Sequence, residues 1–194
     1  MRNPFTNFRT VHRLNMERLL IPILQRSFNW GKILEIGSKD ARYLKHVKYL
    51  EYLTLDNDPN WKPDIFQSIE QPCGENQYDS IFCFQVLEHV PQPFSAVRNI
   101  HTALKKGGKF LASVPFQFPN HSKYDYWRYT KQGCEVLCEQ FDEVQIIPYG
   151  NFITSSWTLF NWHNYFGMFN WLIHKVFYFV DNRVPDGFVI IAKK

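Results

Sequence analysis

Between Val144 and His174 the chain carries no Asp, Glu, Lys or Arg. Asn, Ser, Thr and His interrupt the same stretch, so it holds no apolar run of about 18 residues and is not read as a membrane span. The amino end lacks the charged, apolar and small-residue succession of a secretory signal, which makes the cytoplasm the default location. Long basic runs are missing too. Lys105-Lys106 and Lys193-Lys194 are only pairs and the net charge is +4, so no nucleic-acid partner is expected. Cysteine is sparse. Cys73, Cys83, Cys134 and Cys138 show neither zinc-ribbon nor oxidoreductase spacing; they are read as reduced, structural thiols, and no metal site is predicted. A Gly-x-Gly-x-x-Gly run is also absent, which counts against a nicotinamide dinucleotide.

What is present starts with Lys32 to Asp56. Ile33, Leu34 and Ile36 form a short apolar run that stops at Gly37, the pattern of a buried strand ending in a tight turn. A short helical segment follows. A second strand through Leu53 and Leu55 then ends on Asp56 and Asp58. A carboxylate about twenty residues after the turn has the spacing that receives ribose hydroxyls, and it can accept from both at once. Gly37-Ser38 would let backbone N–H groups and the next helix approach a ligand. Glu35 sits at the end of a buried strand, where a carboxylate needs a partner. A ligand ammonium, a backbone amide or the turn itself could supply one.

At 194 residues one domain, 1–194, is expected. An N-terminal helix over 11–27, interrupted or kinked by Pro22, would cover an edge or mouth of the sheet. Asp64–Ser68 and Tyr78–Phe84 read as strands. Pro93 opens a helix with Phe94, Val97, Ile100 and Leu104 on one face, and Lys105-Lys106-Gly107-Gly108 closes it. Phe110–Val114, Glu143–Tyr149 and Phe188–Ala192 add strands, and Gly133–Gln140 a helix. Strand, helix and strand of these lengths make a parallel crossover, hence an α/β fold with helices on both faces.

Leu34-Glu35-Ile36-Gly37, Leu55-Asp56, Tyr78-Asp79-Ser80-Ile81, Gln85-Val86-Leu87-Glu88-His89 and Leu104-Lys105-Lys106-Gly107-Gly108 together resemble the class I S-adenosylmethionine-dependent methyltransferases, in particular the type 11-like members. Pro119, His121 and Asp125-Tyr126-Trp127-Arg128-Tyr129-Thr130 resemble a segment of one subset, whose members are often tied to glycan biosynthesis. The resemblance implies a Rossmann-like seven-stranded sheet ordered 3-2-1-4-5-7-6, its seventh strand antiparallel. It implies S-adenosyl-L-methionine as cofactor, with Glu35, Gly37 and Ser38 near the methionine end, Asp56 and Asn57 at the ribose, Ser68 by the adenine and Gln85 facing the methyl region. Where the family carries two further glycines and an acid, this chain has Lys39, Ala41 and Ser68.

The acceptor is expected to be a small polar molecule or a glycan, methylated at oxygen. An alcohol must lose a proton as it attacks, and His has the pKa for that. His121, oriented by Asp125, is the candidate catalytic base; the alternative is a histidine that only fixes its loop. His89, Tyr124, Tyr126, Trp127 and Arg128 are candidate substrate-binding residues. Arg128 could clamp an acid or pair internally with Asp125, and the aromatics could stack on a sugar or simply pack. Phe169, Leu172, Ile173, Val176, Phe177 and Val180 form a helical stripe inside an aromatic insertion at about 150–186. Residues 152–180 would cap the acceptor site, form a homodimer interface or lie on a membrane surface as a peripheral contact. The second reading of the whole chain is a non-catalytic binding or scaffolding protein on the same fold.

Overall fold

The computed structural model describes residues 9–26, 30–160 and 166–194. The lead-in 1–8, the expected helix end at Ser27, and Trp162 of the aromatic segment lie outside the described residues. The chain runs α1 (Val11–Gln25), β1 (Lys32–Ile36), β2 (Glu51–Asp56), β3 (Ile65–Phe66), β4 (Tyr78–Phe84), α2 (Pro93–Ala103), β5 (Leu104–Pro115), α3 (Lys131–Leu137), β6 (Glu143–Tyr149), α4 (Phe152–Phe160), α5 (Asn170–Val176) and β7 (Gly187–Lys193). The strands form one sheet in the order β3-β2-β1-β4-β5-β7-β6. β7 runs antiparallel to both β5 and β6, and the other pairs are parallel.

Strand alternation divides the interior in two. Leu34, Ile36, Ile81, Cys83, Phe110, Ala112, Val114 and Ile190 face the layer of α2 and α3. Ile33, Phe82, Leu111 and Val189 face the other way, onto Met16, Leu20, Ile23 and Leu24 of α1. So α1 covers a face of the sheet rather than its edge. Pro22 does not break it: the helix is continuous and Pro22 is exposed, so the carbonyl that loses its partner can turn to water.

Local signals misled at four places. The segment between β1 and β2 is a run of turns with a single 3-10 turn, Leu44–His46, not an α-helix, so no helix N-terminus follows Gly37. Lys105-Lys106-Gly107-Gly108 does not cap α2. Leu104 is already extended (φ −71°, ψ 140°), and these residues form an irregular start to β5. Gly107, at φ +77°, makes the bend, and Lys105 pairs with Asp79 rather than with the helix end. Phe94 is solvent-exposed; Ala96, Val97, Ile100 and Ala103 form the buried face. The stripe beginning at Phe169 yields a helix of only seven residues, and Phe169, Leu172, Val176, Phe177 and Val180 stand exposed. Among the described residues no helix is long and apolar enough to cross a membrane.

Candidate active site

The carboxyl ends of β1, β2 and β4 open onto one cleft, as the general rule for open α/β sheets requires. Ile36, Leu55, Ile69, Val86 and Val90 make its apolar lining, and Gly37, Asp56, Asn57, Ser68, Gln85 and His89 its polar one. Gly37 is held at φ +66°, and any side chain there would run into Val86. The turn is therefore a cradle that only glycine leaves open. Lys39 (φ 47°) and Ala41 (φ 45°) also adopt the left-handed conformation. The backbone thus has the shape that glycines would give it, at a cost of about 1–2 kcal/mol for each non-glycine residue.

Asp56 is buried at the end of β2. Its Oδ1 accepts from the backbone N–H of Asp58, an Asx turn that orients the carboxylate beside Asn57. Ser68 lines the same cleft, where its hydroxyl engages Glu70. Phe66 points to solvent and is not part of the lining.

Glu35 and Ser38 lie in an adjoining pocket that shares Gly37, Lys39 and Gln85 with the first. Among the described residues, neither a backbone amide nor the turn satisfies Glu35. Tyr52 does, its hydroxyl donating to Oε2 at 2.6 Å. Burial pushes the Glu35 carboxyl up to about 7, against the pull of Tyr52. Arg13 of α1 also lines this pocket, so a carboxyl group and a guanidinium share its wall.

Gln85 follows β4 in a left-handed conformation (φ 56°), a strained arrangement for a non-glycine residue. The turn sends its amide toward Ser113 (3.2 Å) and Tyr149 (3.4 Å), while Oε1 lies 3.1 Å from His12 Nε2. Sequence reasoning missed His12. It is buried on α1, where burial drives its pKa down to about 3, and among the described residues its Nδ1 has no partner. Neutral His12, donating from Nε2, fixes the orientation of Gln85.

Next to the cleft, the loop after β5 folds onto the 3-10 turn Leu87–His89. Tyr126 and Trp127 donate their backbone N–H groups to the Glu88 carbonyl, and the Trp127 indole donates to Val90. Asp125 receives the His121 backbone N–H at 3.0 Å, faces His121 Nδ1 at 2.9 Å, and takes a two-pronged grip from Arg128 at 2.6 and 2.9 Å. Burial alone would raise the Asp125 pKa, but these donors hold it at about 2. Arg128 gives its remaining donors to the carbonyls of Phe118, Pro119 and Trp127. All five of its N–H groups are therefore engaged, which leaves it no donor for a substrate acid. Tyr124 and Tyr126 are exposed and stacked, with ring centroids 6.5 Å apart. Trp127 keeps part of its ring in solvent.

His89 and His121 meet between the loop and the cleft, their Nε2 atoms 3.1 Å apart. Glu88 is wholly buried beside them, and among the described residues neither of its oxygens has a hydrogen-bond partner. Burial pushes its pKa up to about 8, against its own backbone N–H and Arg128.

Among the described residues, none from 152 to 180 lines either pocket. The segment between β6 and β7 clamps α1 instead: Asn170 donates to the Arg9 carbonyl and accepts from Trp157, and His174 meets Asn15. Buried Asp186 joins the two, taking bonds from Asn15, Thr154 and Ser155.

A family model described as a methyltransferase domain matches residues 9–144. No curated protein matches the chain. Among solved structures, an S-adenosylmethionine-dependent methyltransferase from Archaeoglobus fulgidus aligns over 95 % of both chains with a TM-score of 0.60 and 15 % identity. A Thermotoga maritima protein described as a possible histamine N-methyltransferase aligns over 95 % of this chain and 91 % of its own, with a TM-score of 0.65 and 15 % identity. Phosphoethanolamine N-methyltransferase 2 of Haemonchus contortus, solved with S-adenosyl-L-methionine, aligns over 94 % of this chain and 52 % of its own, with a TM-score of 0.58 and 14 % identity.

Proposed function

The chain belongs to the S-adenosylmethionine-dependent methyltransferases, and on that premise we propose that it methylates an oxygen of a small polar or glycan-type acceptor held beside His89 and His121. The observation that carries this reading is the cleft that Gly37, Asp56 and His89 line together, with His121 Nε2 3.1 Å from His89 Nε2 behind it.

The cofactor fits the residues present. Asp56 and Asn57 suit the ribose, Gln67 to Ile69 the adenine edge, and the glycine cradle the close approach of the chain to the ligand. Glu35 with Arg13 suits the zwitterion of an amino acid, the carboxylate for its ammonium and the guanidinium for its carboxylate. When bound, the cofactor supplies a methyl group already activated on a sulfonium.

What remains for the protein is alignment and exclusion of water, which can be worth roughly 7–11 kcal/mol. An attacking hydroxyl also has to lose its proton. With Nδ1 turned to Asp125, the Nε2 of neutral His121 keeps its lone pair and is the base we assign, a contribution of about 10²–10⁴-fold. The exposed pair Tyr124 and Tyr126 suits stacking on a sugar ring. Outward-facing Phe160, Trp171 and Val176 suit a second copy of the chain or a membrane surface, which sedimentation and vesicle flotation would separate. The four buried, unpaired thiols suit the reducing cytoplasm.

Calorimetric titration with S-adenosylmethionine and S-adenosylhomocysteine tests the reading. Micromolar binding followed by methyl transfer to a sugar, nucleotide-sugar or lipid-linked sugar supports it. Binding with transfer to an amine instead removes the oxygen assignment. No binding at millimolar ligand returns the chain to a scaffolding role.

A further inference from the structure

We propose that Glu88, His89 and His121 form a divalent-cation site at the acceptor end of the cleft, with open coordination positions for a substrate oxygen.

The argument begins with the protons. His89 Nδ1 lies 2.6 Å from the Tyr124 carbonyl, which only accepts, so this nitrogen carries the hydrogen. His121 Nδ1 faces the Asp125 carboxylate at 2.9 Å, so it carries one as well. In the neutral rings both Nε2 atoms then present lone pairs, and the two nitrogens lie 3.1 Å apart with the ring planes inclined at 62°. Two acceptors at that separation repel unless something positive lies between them. A proton shared between the rings is one such charge, and a metal ion is the other.

A metal ion satisfies the arrangement without protonation. Two imidazole nitrogens on one ion at about 2.0–2.1 Å stand about 3.0–3.4 Å apart at right-angled to tetrahedral coordination. The third donor is Glu88, a fully buried carboxylate with neither oxygen hydrogen-bonded among the described residues, and its Oε1 is 3.9 Å from His89 Nε2. All three ligand atoms lie within 4.8 Å of one another. Closing onto one ion asks the Glu88 side chain to move by roughly 0.5–1.5 Å. The outer partners are those that metal-bound histidines have, a carboxylate behind one and a backbone carbonyl behind the other. The saturated Arg128 holds that carboxylate in place.

Two imidazoles and one carboxylate suit a borderline ion such as Zn²⁺, Co²⁺ or Mn²⁺ better than Ca²⁺ or Mg²⁺. The inference rests on the reading that the acceptor oxygen sits beside His89. With the ion bound, His121 Nε2 would be a ligand in place of the base assigned above, and the ion would acidify a coordinated hydroxyl instead.

The test uses the full untagged chain, stripped with chelator and titrated with Zn²⁺ by calorimetry and with Co²⁺ by visible absorption. One equivalent is expected to bind. His89→Asn and His121→Asn should weaken binding about 100-fold or more, and Asp125→Asn about 10–100-fold. Glu88→Gln, of unchanged shape, keeps the test decisive if a histidine variant fails to fold; it should weaken binding at least about tenfold. No saturable binding, or binding unchanged in Glu88→Gln and Asp125→Asn, overturns the proposal. S-adenosylmethionine affinity is measured separately in chelator. Cofactor binding without cation binding removes this site and leaves the methyltransferase reading intact; cation binding without cofactor binding does the reverse.

Discussion

The Tyr52 hydroxyl donates to Glu35 Oε2 at 2.6 Å, across the parallel pair of β1 and β2. This bond holds the Glu35 carboxyl near 7 when burial alone would raise it further. A cofactor ammonium needs the ionised form, so affinity should rise by up to about tenfold from about pH 6 to about pH 8. Tyr52→Phe should move that rise to higher pH, and Glu35→Gln should abolish it. Calorimetry across the pH series would detect either change; a flat wild-type profile would separate Glu35 from the ammonium.

Asp56→Ala removes the acceptor for two hydroxyls. Hydrogen bonds to a charged group are worth about 1.5–3 kcal/mol each, so cofactor affinity should fall at least about tenfold. Unchanged affinity in a variant of unchanged melting temperature would dismiss the ribose assignment.

Arg128→Lys should act on the loop and not on the cofactor. A lysine cannot reproduce the five-donor fork that binds Asp125 and three carbonyls. A loss of about 1–3 kcal/mol in stability is expected, with cofactor affinity within about twofold of wild type. A variant that melts normally yet binds cofactor poorly would be the opposite outcome.

Ala41→Gly should stabilise the protein. Relief of a left-handed non-glycine residue is worth about 1–2 kcal/mol, and the entropy of glycine gives back about 0.5–1. The net gain should raise the melting temperature by a few degrees, about 2–4 °C per kcal/mol for a chain this size. A lower melting temperature would count against the conformation at Ala41.

Glu88→Gln should change how stability depends on pH in chelator-treated protein. The folded state raises the Glu88 pKa from 4.5 to about 8, so the wild-type carboxyl favours folding when protonated. That advantage is lost as pH rises between those two values and stays lost above them. The stability gain from glutamine should therefore grow across that window by more than about 1 kcal/mol and level off above it. Denaturation midpoints at several pH values measure this, and a gain that shrinks with pH would refute the buried carboxylate.

Much of the fold was legible because its signals are local. The runs around Ile33 and Ile81, the stop at Gly37 and the acid at Asp56 are each defined within a few residues. The site was half legible for the same reason. His121, Asp125 and Arg128 share one short segment, so their association could be anticipated. His12, Arg13 and Asp186 could not, because what gives them meaning is distant in the chain. His12 meets Gln85 across 73 positions and Asn15 meets Asp186 across 171. Lys105-Lys106-Gly107-Gly108 was misread because a basic pair before glycine suits a helix end and an irregular strand start equally well. Only the pairing of Leu104 with Tyr78 decides between them.

The clamp around α1 bears on the order of events during synthesis. Residues 11–25 leave the ribosome well before part of what they bury against, Tyr149 of β6, Val189 of β7 and the segment between those strands. Until Asp186 emerges, Asn15 lacks that partner and the apolar face of α1 lacks much of its cover. The helix that positions Gln85 and carries Arg13 therefore locks late, and the nascent chain has to keep an apolar surface out of trouble for most of its translation.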